Sequence, residues 1–511
     1  MLFNSFVYLA LFLPVTVLVY FAIGSQLKHR LSITWLVAAS LFFYGWWNPA
    51  YLGLIIGSGL FNFAAGMTLG AGKLGQKSRT ALLAAAIAVN LGVLGYFKYA
   101  NFFVDNINWL FGTDFYLGQI VLPLAISFFT FQQISYLVDA YRGETKDYDF
   151  LHYMLFVTFF PQLIAGPIVH HSEMMPQFDK DETYRPKRRN LQIGLTILII
   201  GLFKKVVVAD GIAAYATPVF AAAEAGQALS FGESWLGALL FAVQLYFDFS
   251  GYTDMAIGSA RIFGIKLPIN FYSPYKALNI AEFWRRWHMT LTRFITAYIY
   301  MPMSIHWARK GIEKNWGPSR QFWLSVAYPA MFAFFLAGLW HGAGWNFVIF
   351  GVLQGVYLTM NSVWREFRKK KLGHKLKHST LPGRVAARTL TILTFVWSLV
   401  FFRAQTTDGA FALTSAMLGA NGLGGGVEII AATPAILVLI TGFVAVLSLP
   451  NTQQFMLDYE PSTEPVHKEE LSRLESVRWT PTARWAVLFA AMAVTALLSM
   501  NRVSEFIYFQ F

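Results

Sequence analysis

The sequence contains no cysteine. Disulfides, thiolate metal sites and cysteine nucleophiles are therefore excluded. Charge is scarce too: Asp, Glu, Lys and Arg make up 13% of the 511 residues, where a soluble domain carries about 25%. Three chemical signatures are also missing. There is no phosphate-binding Gly-x-x-x-x-Gly-Lys-Ser/Thr loop, no His-Glu-x-x-His helix and no Gly-x-Ser-x-Gly elbow. A P-loop ATP motor, a zinc protease and a classical serine hydrolase thus lack support. His170 and His171 are adjacent rather than one helical turn apart, and no metal is expected.

What is abundant is apolar. Hydrophobic residues reach 56% and aromatics 17%, with 48 Phe, and mean hydropathy is +0.48. Apolar runs long enough to cross a bilayer cover 3–23, 31–47, 50–71, 81–103, 118–140, 190–222, 234–260, 322–341, 345–364, 389–405, 427–449 and 484–500. The first run has no basic flank or small-residue cleavage site, so it reads as a retained helix rather than a signal peptide. The fold class expected is an all-α polytopic membrane protein. Two apolar stretches fit poorly as simple spans. Segment 151–170 carries Pro161, Gly166 and Pro167, and 280–305 is rich in Arg and Trp. Broken backbone at membrane depth survives only where protein buries it or it lines a wet cavity. Both segments are therefore expected at the functional centre.

The net charge of +13 follows topology rather than nucleic acid. Lys28 and Arg30, then Lys73, Lys77 and Arg79, then Arg142, Lys146 and Lys180 to Arg189, then Arg261 to Arg320, then Arg365 to Lys371 fall in alternate connections. The intervening loops 104–117, 223–233 and 406–426 contain no Lys or Arg. Basic loops lie on the cytoplasmic side, which puts the N-terminus outside. No internal repeat of the inverted-transporter kind is evident.

Residues 322–364 contain no Asp, Glu, Lys or Arg, and His341 stands among them in Gly338-Leu339-Trp340-His341-Gly342-Ala343-Gly344-Trp345. An ionisable residue inside a membrane is a functional candidate by default, and imidazole takes and gives protons near neutral pH. The alternative is a structural His bonded between helices. A second cluster is Phe283-Trp284-Arg285-Arg286-Trp287-His288. Arg285, Arg286 and Arg293 suit the phosphates of a nucleotide-like ligand, and Trp284 and Trp287 suit stacking on a base. An interfacial helix with snorkelling Arg explains the same residues. Third, Asp248 and Asp254 sit inside an apolar span. They fit a proton pathway with His341, as in a transporter exporting a glycan or lipid-linked precursor, or they pair with a buried Arg or hold a His in its tautomer. Lys98, Lys204, Lys205 and Asp210 also interrupt apolar runs, Lys204 and Lys205 reading as interfacial or ion-paired.

These segments resemble the membrane-bound O-acyltransferase family, in particular its bacterial branch of alginate O-acetyltransferase membrane subunits. The resemblance rests on Phe43-Tyr44-Gly45-Trp46-Trp47-Asn48-Pro49, Phe97-Lys98-Tyr99, the run Leu122 to Gln132, Pro161 to Ile168, Tyr246 to Asp254, Pro268-Ile269-Asn270-Phe271, and the two His-bearing runs. It departs from that pattern at Thr296-Ala297 and Ser304-Ile305. It implies a ring of about 11–13 tilted helices with re-entrant segments around a central tunnel, in one domain over 1–511, with a core at 1–364 and further helices at 384–511. It also implies an O-acetyltransferase. Acetyl-CoA would be the cytoplasmic donor substrate and no bound cofactor is implied. The acetyl group would pass across a bacterial inner membrane to periplasmic partner proteins and an exopolysaccharide, alginate or alginate-like; peptidoglycan, a teichoic-type polymer or another secreted glycan is the alternative acceptor. By motif, His341 resembles the catalytic His and His288 the second His. Arg285, Arg286, Trp284, Trp287 and Arg293 would serve the donor side, and Asp248, Asp254, Asn270 and Trp340 would support. Whether His341 acts as general base or carries an acyl group stays open.

Overall fold

The computed structural model describes residues 1–145, 149–371, 373, 380–423, 429–464, 476–501 and 507. Lys146 and parts of the connections 406–426 and 450–483 lie outside the described residues. Every apolar run read from the sequence contains a helix. Among the described residues, seven of these are long and apolar enough to cross a membrane: Val7–Gly24, Pro49–Gly70, Gln76–Phe111, Arg188–Glu224, Pro318–His341, Trp345–Lys370 and Leu381–Arg403. His29–Gly45, Ile126–Arg142, Phe231–Ile262, Ala432–Ser448 and Ala483–Ser499 complete the set. The protein is an all-α multi-pass membrane protein.

The helix Phe231–Ile262 forms the axis. From Leu240 to Ile262 every residue is buried, and at 1.5 Å per residue its 32 residues span about 48 Å. Its start is fixed by a capping box: Ser230 accepts from the Glu233 backbone at 3.2 Å, while the Glu233 carboxylate accepts from the Ser230 backbone at 2.9 Å. Inside a bilayer the hydrophobic effect does not press helices together, so close approach of small residues must. Gly201 meets Gly251 so tightly that a Cβ on Gly201 would lie 2.5 Å from the Gly251 carbonyl oxygen.

Two apolar clusters flank this axis. One gathers Tyr8, Phe43, Phe156, Phe160 and Phe263; the other gathers Phe241, Trp284, Trp287, Phe395 and Phe402. The sequence expectation of a span over 118–140 is corrected at its start. Helix begins only at Ile126, because Pro123 lacks a backbone donor and Ala125 adopts a left-handed φ of 61°. Segment 151–170 is broken as expected: helix Phe150–Thr158, a turn at Phe159, helix Phe160–Leu163, then non-helical chain to His170. Segment 280–305 breaks once, between helix Ile280–Trp284 and helix Met289–Ile295. It then continues helically through Glu313, with a π-type stretch at Thr296–Tyr300.

Candidate functional site

His341 is the last residue of helix Pro318–His341. The chain turns through Gly342-Ala343-Gly344 and returns as Trp345–Lys370. The hairpin is tight: a Cβ on Gly338 would lie 2.9 Å from the Cα of Gly351, and one on Gly342 would collide with the Phe347 ring.

A helix end leaves carbonyls without intrahelical partners. Here two neighbours on helix Gln76–Phe111 satisfy them. Tyr99 donates to the Leu339 carbonyl at 2.7 Å. Lys98 Nζ donates to the Trp340 carbonyl and lies 3.4 Å from the His341 carbonyl. A cation at a helix C-terminus also complements the helix dipole. The His341 ring packs edge-on to Phe402 at 5.1 Å and to Phe350 at 5.9 Å.

A cavity of about 350 Å³ opens beside this helix end, lined by Trp47, Lys98, Pro123, Phe128, Trp340 and His341 among others. The segment 122–128 in its wall follows the Lys- and Arg-free loop 104–117. His341 is 5% exposed, so it meets the cavity without standing in bulk water.

His288 reaches the same neighbourhood from a different element. It sits in the break before helix Met289–Ile295 with a left-handed φ of 42° and ψ of 53°. Non-glycine residues adopt this conformation only where the surroundings hold them. The surroundings are a strand-like pairing: Tyr272 N–H donates to the Arg286 carbonyl at 2.9 Å, Met289 N–H to the Asn270 carbonyl at 3.0 Å, and Phe271 bridges Trp287. The Asn270 side-chain oxygen is a hub. It accepts from Thr290 Oγ1 at 2.6 Å and from the Thr290 backbone at 3.3 Å, and it lies 3.2 Å from His288 Nδ1. A backbone N–H only donates, so the atom it meets is the amide oxygen, and His288 Nδ1 must then donate to it. That tautomer leaves the lone pair on Nε2. Trp340 joins the two histidines, its ring 4.9 Å from His341 and 6.0 Å from His288. The Asn270 side chain thus holds the His288 ring, and the Trp340 ring packs against both imidazoles.

The basic segment is more occupied than its sequence suggests. Arg286 pairs with Glu282 at 2.8 Å, and Arg293 grips Glu173 with two bonds of 2.6 and 2.9 Å. Glu464, 3.8 Å from Arg293, has its carboxyl pushed above the usual range by burial. Arg285 is exposed. Trp284 donates to Gln354 at 3.1 Å, and Trp287 stacks on Phe283 at 5.6 Å, both inside the second apolar cluster. The indoles expected to stack on a base are thus committed to core packing, because the break at 285–288 turns their side of the segment inward.

Asp248 and Asp254 do not join the histidines. Asp248 lies 2.8 Å from Lys205, which also pairs with Asp210 at 2.7 Å. Asp254 lies 2.7 Å from Lys204 and accepts from Thr452 at 2.6 Å. Both lysines stand in a π-type stretch, Lys204–Ala209, within helix Arg188–Glu224. Both carboxylates pair with a cation, a lysine rather than an Arg in each case.

Two features of the structure have no local signature in the sequence. Lys98 stands in the sequence as a cation interrupting an apolar run and, with Tyr99, as part of a motif, since nothing local shows that helix 76–111 meets the end of helix 318–341. Nor does their adjacency show that His170 and His171 converge on Asp139 from a separate helix.

Residues 93–402 match the profile of MBOAT, the membrane-bound O-acyltransferase family. A peptidoglycan O-acetyltransferase of Helicobacter pylori is 43% identical over 451 residues, 83% of this chain and 81% of that protein. A probable alginate O-acetylase AlgI of Azotobacter vinelandii is 35% identical over 422 residues, 82% of this chain and 78% of that protein. A teichoic acid D-alanyltransferase of Bacillus subtilis is 31% identical over 253 residues, 49% of this chain and 62% of that protein.

Proposed function

From the premise that this chain belongs to the membrane-bound O-acyltransferase family and is an O-acyltransferase, we propose that it takes acetyl groups from acetyl-CoA on the basic, cytoplasmic side of a bacterial inner membrane and delivers them outside for O-acetylation of a polysaccharide. The observation that carries this reading is the position of His341 on the wall of a cavity, with the Trp340 ring packed against both its imidazole and that of His288.

In this reading His341 is the general base. The acceptor hydroxyl enters from the cavity and gives its proton to His341 as its oxygen attacks the thioester carbonyl. The C–S bond breaks and the departing CoA thiolate takes up the proton. Help of this kind contributes about 10²–10⁴-fold. His288, its Nδ1 fixed on Asn270 and its ring 6.0 Å from Trp340, assists the developing charge. Exposed Arg285 is the cation offered to the donor phosphates. Periplasmic partner proteins carry the acetyl group onward. The 43% identity to a peptidoglycan O-acetyltransferase makes cell-wall glycan the first acceptor to test, with an alginate-like exopolysaccharide second. The test is release of CoA from labelled acetyl-CoA by the purified protein with its partners and each polymer. Turnover with label in the polymer is expected. Retained polymer acetylation with His341→Ala would sink the assignment.

A further inference from the structure

Helix Ile126–Arg142 carries Asp139 in its last turn, buried and 1% exposed. Three side chains from two other segments point at its carboxylate. His170 Nε2 lies 2.6 Å and His171 Nε2 3.2 Å from the same oxygen, Oδ2. Tyr298 Oη lies 3.0 Å from Oδ2 and 3.1 Å from Oδ1. His171 is buried, while the His170 side chain is 32% exposed, which leaves an entry path.

We propose that Asp139, His170 and His171 form a binding site for a divalent transition metal of the zinc type. Two imidazoles and one carboxylate are the donor set of open, three-ligand zinc sites, in which water takes the fourth position. Bonds of about 2.0–2.1 Å in a tetrahedron put ligand atoms about 3.3 Å apart. The pair His171–Asp139 already has that spacing at 3.2 Å. His170 must withdraw by less than about 1 Å to reach it, and it is the part-exposed member at the start of helix His171–Phe178.

The outer groups fit as well. His170 Nδ1 accepts the Ser172 backbone N–H at 3.4 Å; with Nε2 on a metal the ring carries its proton on Nδ1 instead and donates it to Ser172 Oγ, 2.6 Å away, as ligating imidazoles do with their other N–H. The ligating carboxylate is itself held, by the Tyr298 hydroxyl and by Arg142 at 3.9 Å. The chain before His170 donates from Ile168 N–H to Thr290 Oγ1 at 3.0 Å, and Thr290 Oγ1 donates to the Asn270 hub at 2.6 Å. A metal here clamps the non-helical segment 164–170 to helix Ile126–Arg142, and through Thr290 it steadies the hub that orients His288.

The full chain, purified in detergent through a tag without histidine, is stripped with chelator and titrated with zinc alone. About one equivalent should bind, thermal unfolding should shift upward with zinc, and Co²⁺ in its place should give the visible absorption of a tetrahedral nitrogen–oxygen site. Asp139→Asn and, at the part-exposed position, His170→Gln should each weaken binding at least tenfold and abolish the thermal shift. Zinc uptake equal in wild type and His170→Gln, or no uptake by wild type, overturns the proposal. The metal readout is independent of acetyl transfer, so it fails or succeeds apart from the enzymatic reading.

Discussion

The two histidines at the centre touch the same indole yet are held by opposite means. His341 ends a long helix, and its position is set by backbone carbonyls gripped from outside by Lys98 and Tyr99. His288 sits in irregular chain, and its own ring is gripped, by Asn270. The first arrangement fixes where the residue stands on the cavity wall. The second fixes which nitrogen carries the proton. A residue that exchanges protons with an entering substrate needs access, whereas one that assists needs a defined donor and acceptor pattern.

That contrast breaks most severely if His341 is removed. His341→Ala should lower acetyl transfer by about 10²–10⁴-fold or more while the protein still inserts and elutes as wild type; His288→Ala should retain measurably more activity in the same CoA-release assay. The next effect separates catalytic from structural charge. Asp248→Asn should lower thermal stability, though by less than the about 3–5 kcal/mol that a buried charge stripped of its partner costs, because Lys205 keeps Asp210; turnover per folded molecule should stay near wild type. Loss of turnover without loss of stability would return Asp248 to the reaction path. Asn270→Ala leaves His288 Nδ1 and Thr290 without their acceptor, at about 1–3 kcal/mol for each buried group. It should reduce kcat more than KM, and Asn270→Asp, which keeps an accepting oxygen, should restore part of the loss. The smallest effect belongs to Lys98→Met. Hydrogen bonds from a charged group contribute about 1.5–3 kcal/mol, and their loss should lower kcat about tenfold without changing the pH profile set by the two imidazoles. A shifted profile would give Lys98 a direct part in proton transfer.

Much of the architecture was legible from residue patterns because a bilayer imposes a one-dimensional rule: about 20 apolar residues make a span, and basic residues sort to one side. The positions of the helices followed from that rule, and so did the break in 151–170, where Pro161, Gly166 and Pro167 oppose helix. His341 was conspicuous because it is the only His in an otherwise uncharged stretch. The start of helix 126–142 is not legible in hydropathy, which does not register Pro123 or the left-handed Ala125.

The sequence by itself determined the membrane class, the helices and the two candidate histidines, since each depends on local composition and spacing. Only the tertiary structure decided what those residues face. It turned Trp284 and Trp287 into core, tied Asp248 and Asp254 to lysines rather than to His341, brought Lys98 and Tyr99 to the His341 helix end, and gathered Asp139, His170 and His171 at one point. Contacts between helices far apart in the chain depend on crossing points and rotation about each axis. Hydropathy is an average along the axis and carries neither.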